Sequence, residues 1–243
     1  MLYESSVTGR NQIYTQRLDQ HDAVAISPGS SAQTGPRSTY DGTWILYAND
    51  AKTIYRVRQG IGGAEEVPTR SNSADFRCSL GSPVCMIKST ASDGTISFSS
   101  LDPLKGEGPV VVDAPPEWKT VNDWDISPDG RSLVCVSTAP SFNQLHIIEL
   151  GTKKIRDIPV PEHLQLRSVN SVPVHGGWIL NAVTSRAGGL MYLSLDGRLV
   201  PLVQTTGTAG MVGSAWGVPS PDGSKMAFSN LYRQGNLWVA NLH

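Results

Sequence analysis

The chain has 243 residues, among them 24 glycines and 16 prolines, and a formal net charge of −1. This length is sufficient to bury a core without disulfides, and the glycine and proline content favours many turns over long helices. The near-neutral charge predicts no nucleic-acid partner, and the absence of an apolar run of ~18 residues predicts no transmembrane helix.

One short sequence motif recurs six times along the chain: a turn with Gly or Asn, then an aliphatic residue that opens a segment with the pattern of a β-strand. The aliphatic anchors of the six copies are Ile13, Ile54, Ile96, Leu145, Leu190 and Leu237. Their spacings of 41, 42, 49, 45 and 47 residues match the roughly 40–50 residues of a four-stranded propeller blade. The amphipathic pattern that a helical repeat requires is missing, so the copies predict strands.

The copies have the approximate boundaries 1–27, 28–70, 71–114, 115–160, 161–207 and 208–243, and they share one internal order of predicted strands, named A to D. In the first copy Met1–Tyr3 align with strand B, so strand A is absent. The second copy has an Asp41-Gly42 turn before strand B at Trp44–Ala48. The third copy has diverged at this turn to Ser79–Ser82.

The fourth copy shows the pattern most fully. It has strand A at Asp123–Ser127, a turn at Ser127–Gly130, strand B at Ser132–Val136, strand C at Gln144–Leu150 and strand D at Lys154–Val160. The ring of proline fixes φ at the value that the turn requires, and the aspartate side chain accepts a hydrogen bond from a backbone N–H of the same turn. The glycine adopts the positive φ that other residues avoid. The fifth copy has His175–Gly177 before strand B at Trp178–Val183. The sixth repeats the turn at Ser220–Gly223 before Lys225–Ser229 and ends before strand D.

The B strands are apolar on both faces, as Ile45–Ala48 and Leu133–Val136 show. Such strands must be covered on both faces, and because no helices are predicted, neighbouring sheets must provide the cover. We therefore predict an all-β, six-bladed β-propeller of four-stranded antiparallel blades, with residues 1–243 as a single domain. Its first and last blades are incomplete. Either the chain is the C-terminal part of a longer protein, or the ring closes natively with two incomplete blades.

These copies resemble the TolB-type repeat, a WD-like bacterial propeller repeat marked by Ser-Pro-Asp-Gly. The resemblance extends over essentially the whole chain and is strongest at 123–150 and 217–242. It implies that strand A lines the central channel and that the D-to-A and B-to-C loops share one face. It also implies a protein partner bound over one end. The family implies a periplasmic location if a signal lies upstream of Met1, and otherwise the cytoplasm is expected, since Met1–Ser6 is not a secretory signal.

Cys78 and Cys85 flank the turn at Gly81-Ser82. A two-residue loop pairs residue 79 with 84 and 78 with 85, so the cysteines oppose each other on neighbouring strands. Opposed Cα atoms lie about 4.5–5.5 Å apart, which is within disulfide range. Two interpretations remain open: two buried thiols that act as small apolar side chains, or a possible disulfide. The third cysteine, Cys135, is expected in the core.

No constellation in the sequence predicts catalysis. The five histidines share no metal-ligand spacing, so we expect no catalytic residue, no metal and no cofactor. His146 is expected to pack within strand C or on its exposed face. The candidate carboxylates of a channel site are Asp75 and Asp123, both on predicted inner strands.

The predicted partner-binding residues are three tryptophans in or before strand A and three arginines in B-to-C loops. They are Trp118, Trp124, Trp216, Arg10, Arg186 and Arg233. Aromatic residues on loop-bearing surfaces are common binding anchors. The alternatives are tryptophans that fill the channel and arginines on a solvated rim.

We expect a non-catalytic protein-interaction or sensor propeller that binds its partner over the D-to-A and B-to-C loop face. It is expected to be monomeric, with possible edge pairing at the incomplete seam. The alternatives are a channel-face binder of a small molecule or glycan, an enzyme, or a truncated fragment without independent function.

Overall fold

The computed structural model describes residues 1–26, 31–50, 52–59, 61–137, 143–184, 187–206, 216–230 and 236–241. These residues form antiparallel strands joined by turns, and they divide into two compact units, Met1–Ala114 and Pro115–His243. Within the described ranges, no helix is long and apolar enough to cross a membrane.

The first unit contains three sheets in its described part. Its strands are β1 (Leu2–Ser5), β2 (Gln12–Gln16), β3 (Ala23–Ala25), β4 (Gln33–Ser38), β5 (Trp44–Asn49), β6 (Ile54–Arg58), β7 (Ile61–Val67), β8 (Asp75–Cys78), β9 (Cys85–Thr90), β10 (Ile96–Asp102) and β11 (Gly106–Asp113). The strand orders are β1-β2-β3, β4-β5-β6-β7 and β8-β9-β10-β11. Neighbours along the chain are therefore neighbours in each sheet.

The second unit has the same organisation. Its described strands are β12 (Val121–Ile126), β13 (Ser132–Ser137), β14 (Gln144–Glu149), β15 (Ile155–Pro159), β16 (Gln165–Ser171), β17 (Trp178–Val183), β18 (Ala187–Leu193), β19 (Leu199–Thr206), β20 (Trp216–Pro219), β21 (Lys225–Asn230) and β22 (Asn236–Asn241). The strand orders are β12-β13-β14-β15, β16-β17-β18-β19 and β20-β21-β22.

The predicted all-β propeller with four-stranded antiparallel blades is confirmed. Strand β17 has the predicted bounds Trp178–Val183, and β13 extends the predicted strand B by one residue to Ser137. The sheets β1-β2-β3 and β20-β21-β22 have three described strands each. The single domain and the closure of six blades into one ring stay predictions.

Apolar clusters lie between successive sheets of a unit. The second strand of a sheet is apolar on both faces because each face packs in a different cluster. On β5, Ile45 and Tyr47 join a buried cluster with Ile13 of β2. The alternate residues of β5, Leu46 and Ala48, join a different cluster with residues of β8 and β9. Because successive side chains of a strand point to opposite faces, one strand contributes to two cores.

The Ser-Pro-Asp-Gly turn between β12 and β13 is held by its own side chains. The hydroxyl of Ser127 donates to Oδ1 of Asp129 at 2.6 Å, and the backbone N–H of Arg131 donates to the same oxygen at 3.0 Å. Gly130 has a φ of 71°. The turn at Ser220–Gly223 has the same pattern of bonds. The backbone also closes the turn, since the N–H of Gly130 donates to the carbonyl of Ser127 at 2.9 Å, and the aspartate adds an acceptor for the N–H of Arg131, which the backbone turn leaves over.

Two turn aspartates have strongly lowered pKa values. Hydrogen bonds from the side chains of Thr39 and Thr43 lower the pKa of Asp41 from 3.8 to about 2. The hydroxyl of Ser220, followed by the backbone and side chain of Ser224, lowers the pKa of Asp222 from 3.8 to about 2. Both carboxyls bind protons more weakly in the folded than in the unfolded chain. Their contribution to stability is therefore present above pH 3.8 and is lost as the pH falls towards about 2.

We expect the carboxyl carbons of Asp41 and Asp222 to titrate in an NMR experiment with midpoints near pH 2, as their lowered pKa values require. Replacing Thr39 with Val removes the first hydrogen-bond donor to Asp41 and should raise the midpoint of that carboxyl alone. Asp222 serves as the internal control. Midpoints near 3.8 in the unmodified chain would show that the turn bonds do not persist in solution.

Gly106, at the start of β11, is expected to tolerate no side chain. Its φ is 95°, and a Cβ there would lie 2.2 Å from the carbonyl oxygen of Pro68. Gly94 has a similar φ of 90°, but a Cβ at that position would have no other atom within 4 Å, so it is the matched control. We expect Gly94→Ala to lower the free energy of unfolding by about 1 kcal/mol and Gly106→Ala by roughly 3 kcal/mol or more. Urea unfolding measures both, and equal losses would contradict the clash.

Candidate functional site

Two carboxylates on the inner strand β12 are buried and are bonded to the backbone of the next sheet. The N–H of Val169 donates to Oδ2 of Asp123 at 3.0 Å, and the N–H of Ser171 donates to Oδ2 of Asp125 at 2.6 Å. The two aspartates stand two residues apart, so they lie on the same face of β12. They join β12 to β16, strands of different sheets, by hydrogen bonds to a charged acceptor.

The same device occurs at other neighbouring sheets. The side-chain amide of Asn170 on β16 donates to the carbonyl of Gly217 on β20 at 3.1 Å. In the first unit, the N–H of Gly35 on β4 donates to Glu4 of β1 at 3.3 Å. In each unit, polar side chains of one sheet thus bind the backbone of the following sheet.

Asp75, the candidate channel carboxylate of the first unit, is paired with two cations. Its Oδ2 lies 2.7 Å from Nζ of Lys88, and its Oδ1 lies 3.3 Å from Nη1 of Arg77. Asp75 is in the first unit and Asp123 is in the second. Each carboxylate therefore has partners within its own unit: two cations for Asp75 and a backbone N–H for Asp123.

A three-residue relay crosses the sheet β12-β13-β14-β15. His146 on β14 lies between Ser137 of β13 and Asp157 of β15, with Nε2 3.0 Å from the serine Oγ and Nδ1 2.8 Å from Oδ1 of the aspartate. A carboxylate only accepts, so Nδ1 donates to Asp157, and in the neutral imidazole Nε2 then accepts from the Ser137 hydroxyl. The ring of Trp118 packs on the imidazole, with centroids 4.3 Å apart.

This relay has the order of a nucleophile, a base and an orienting acid, but Ser137 is 0% exposed. No substrate reaches a hydroxyl in that position, so the role of these hydrogen bonds is to hold the strands β13, β14 and β15 together. The sequence predicts only a strand position for His146 and does not predict its two partners. The signal available was three polar residues at facing positions of strands B, C and D.

The structure separates the predicted partner-binding residues into three groups. Trp118 and Trp124 are 4% and 0% exposed, so they belong to the interior, and packing is the interpretation that fits them. Trp216, the first residue of β20, is 46% exposed, and Arg10 is exposed in the turn between β1 and β2. Arg186 and Arg233 lie outside the described residues.

Cys78 and Cys85 are the last residue of β8 and the first residue of β9, and they oppose each other in the register expected from the loop length. Their Cα atoms are 4.0 Å apart and their sulfur atoms are bonded. Both are buried among apolar residues of the first unit, and Cys135 is a buried cysteine of the second unit that forms no disulfide within the described residues.

Comparisons with known proteins show the fold. No family model and no curated protein sequence matches the chain. A protein assigned as TolB from Agrobacterium tumefaciens is 14% identical, with a TM-score of 0.73 over 91% of this chain and 81% of that one. TolB from Acinetobacter baumannii is 13% identical, with a TM-score of 0.72 over 95% of this chain. This chain spans only 57% of that protein.

A third similar structure is an enzyme. An oligogalacturonate lyase in complex with manganese is 13% identical, with a TM-score of 0.62 over 99% of this chain and 70% of that one. The TM-scores show a shared β-propeller fold, with the TolB proteins as examples. At identities this low only the fold is shared, and fold alone does not fix function. In the described part of this chain, no group of three or more His, Cys, Asp or Glu residues could hold a metal ion.

The bond between Asp125 and Ser171 predicts a graded loss of stability. Asp125→Ala leaves the buried N–H of Ser171 without this acceptor and should lower the free energy of unfolding by roughly 2–3 kcal/mol. Asp125→Asn keeps an acceptor oxygen and should cost clearly less. Glu117→Ala, at an exposed acidic residue of the same unit, is the control. Urea unfolding measures all three, and an alanine variant as stable as the parent would show that the carboxylate does not join the sheets.

Proposed function

We propose that this chain is a non-catalytic protein-interaction propeller. The observation that carries the proposal is an exposed apolar strip on β20: Trp216 is 46% exposed and Val218 is 40% exposed. They alternate with the buried Gly217 and Pro219, so both side chains lie on the same side of the strand. Tryptophan is among the residues most enriched in the energetic centres of protein interfaces.

The polar groups of β8 and β12, and Ser137 of β13, support a non-catalytic role. Asp123 and Asp125 accept backbone N–H groups, Asp75 is paired with Lys88, and Ser137 is inaccessible. A catalytic carboxylate or nucleophile must reach its substrate. In the described residues these groups are bonded to the protein itself.

The proposal includes a finer architecture. The six sheets are six blades of one propeller, with the first and last blades incomplete, and the partner binds over the D-to-A and B-to-C loops. Arg10 lies in a B-to-C turn under this assignment, as do Arg186 and Arg233. Trp216 begins the inner strand that follows the last D-to-A loop. The confirmed sheet topology and the TolB-like fold support this assignment.

Affinity capture from an extract of the native cells tests the proposal. The bait carries Trp216→Ala, Arg10→Ala, Arg186→Ala or Arg233→Ala. We expect Trp216→Ala to reduce recovery of the partner about tenfold or more, because it removes a large anchor from the interface. The arginine variants should show smaller losses that grow at low salt, since rim charges act through screened electrostatics.

Val110→Ala is the matched control, since Val110 is an exposed apolar residue of β11. It should leave recovery unchanged. A partner recovered equally with all the variants would place the interface elsewhere and overturn the choice of face. If no partner is recovered, and oligogalacturonides or Mn²⁺ raise the melting temperature, the alternative of a glycan binder or enzyme replaces the proposal.

A further inference from the structure

The turns between the first two strands of five described sheets are closed by one hydrogen bond of the same span. In each, the backbone N–H of the first residue donates to the carbonyl five positions later, at residues 39 and 44, 79 and 84, 127 and 132, 172 and 177, and 220 and 225. The residues directly outside this bond also face each other in all five turns. The turns can therefore be compared position by position.

Three of the turns are capped by an aspartate at the third position, which a glycine follows. Asp41, Asp129 and Asp222 each accept the backbone N–H of the residue two positions later, at 3.1, 3.0 and 3.1 Å respectively. The glycines after these aspartates have φ values of 69°, 71° and 67°. The cap thus combines an acceptor at the third position, a positive φ at the fourth and an N–H at the fifth.

The turn between β8 and β9 provides none of these three elements. Its third residue is Gly81, which has no side-chain acceptor, and its fifth is Pro83, which has no backbone N–H. The proline also biases Ser82, the fourth residue, towards extended backbone and away from the positive φ. An aspartate in place of Gly81 alone would therefore lack the N–H that it accepts in the other turns.

The turn between β16 and β17 also has no aspartate at its third position, which is Val174. There two successive glycines, Gly176 and Gly177, adopt positive φ. The turn between β8 and β9 has no such glycine pair in its sequence. Among the five turns it is the one with neither device.

A covalent link lies directly outside this turn. Cys78 and Cys85 face each other next to the bond between residues 79 and 84, and their sulfur atoms are joined. The pair beside a hydrogen-bonded pair is one in which the two side chains approach most closely, which suits a disulfide. At the other four turns this pair contains no cysteine: it is Ser38 with Ile45, Ile126 with Leu133, Ser171 with Trp178, and Pro219 with Met226.

We propose that the Cys78–Cys85 disulfide stabilises this turn in place of the aspartate cap, so that the first unit is fully stable only in an oxidising environment. The bond joins residues seven positions apart and restricts the unfolded chain at this turn. When it forms, each cysteine loses one proton and one electron. A disulfide of the surroundings, such as oxidised glutathione, accepts them and leaves as two thiols.

Burial determines when this exchange occurs. Cys78 is 3% exposed and Cys85 is 5% exposed, in an apolar cluster with Leu46 of β5 and Ile87 of β9. Exchange requires that a thiolate meets the dissolved disulfide. The bond therefore forms before the two sheets pack, and the packed sheets then protect it from reductants.

Thermal unfolding of the oxidised and the reduced chain tests the proposal, the reduced sample being refolded from denaturant with reductant present. The oxidised chain should have one titratable thiol in denaturant, that of Cys135, out of three cysteines. The reduced chain should melt roughly 5–10 °C lower, as expected for a loop of this length in a chain of this size. The double variant Cys78→Ala, Cys85→Ala should melt at this lower temperature with or without reductant. Cys135→Ala is the control and should keep the difference between the two samples.

A transplanted turn separates the replacement of the cap from a general effect of cross-linking. Four substitutions copy residues 128–131 into the double variant: Leu80→Pro, Gly81→Asp, Ser82→Gly and Pro83→Arg. They restore the acceptor, the positive φ and the N–H together, so they should recover at least half of the lost melting temperature. The same transplant with Gly81→Ala lacks the acceptor and should recover clearly less.

Three outcomes overturn the proposal. They are three free thiols after exposure to oxidised glutathione, equal melting temperatures of the oxidised and reduced chains, and an aspartate transplant that recovers no more than the alanine one. If the double variant does not fold, the oxidised and reduced samples of the unmodified chain decide.

Discussion

The structure depends on how the sheets bind each other where their inner strands meet. Strands β12 and β16 belong to different sheets, so no ladder joins them, and the buried N–H groups of Val169 and Ser171 need acceptors from elsewhere. Asp123 and Asp125 supply them. Apolar packing between sheets is non-directional, whereas a hydrogen bond to a fixed carboxylate is directional. These bonds therefore set the register of one sheet against the next, and the apolar clusters fill the space that the register defines.

This division of roles has a consequence for function. In an inner strand a carboxylate that binds the next sheet is no longer available to a ligand. The relay from Ser137 through His146 to Asp157 shows the same principle across the width of one sheet. Residues with catalytic chemistry hold the framework together, and the exposed residues at strand ends and turns are left to distinguish this propeller from others of the same fold.

The sequence predicted what depends on period and alternation. The bounds of β17 and the facing of Cys78 and Cys85 follow from turns of fixed length and strands of period two. The burial of Trp124 did not follow, because both faces of β12 are covered from Asp123 to Ile126, and alternation then carries no information about exposure. The relay depends on register across three strands at once, and an error of one residue in either pairing would separate its members. Arg186 and Arg233 lie outside the described residues, so their positions stay predictions.

Repeats also make departures from the common pattern visible. The turns at 39–44, 127–132 and 220–225 are each closed by a hydrogen bond from the backbone N–H of the first residue to the carbonyl of the last, and each has an aspartate at its third position that accepts a further backbone N–H. The turn at 172–177 is closed by the same bond, but its third residue is Val174, and its two glycines, Gly176 and Gly177, adopt positive φ. Val174 supplies no acceptor, and its side chain is 59% exposed, a state that gains nothing from burial. The repeats thus separate what closes these turns, the shared backbone hydrogen bond, from what varies between them, the side chain at the third position.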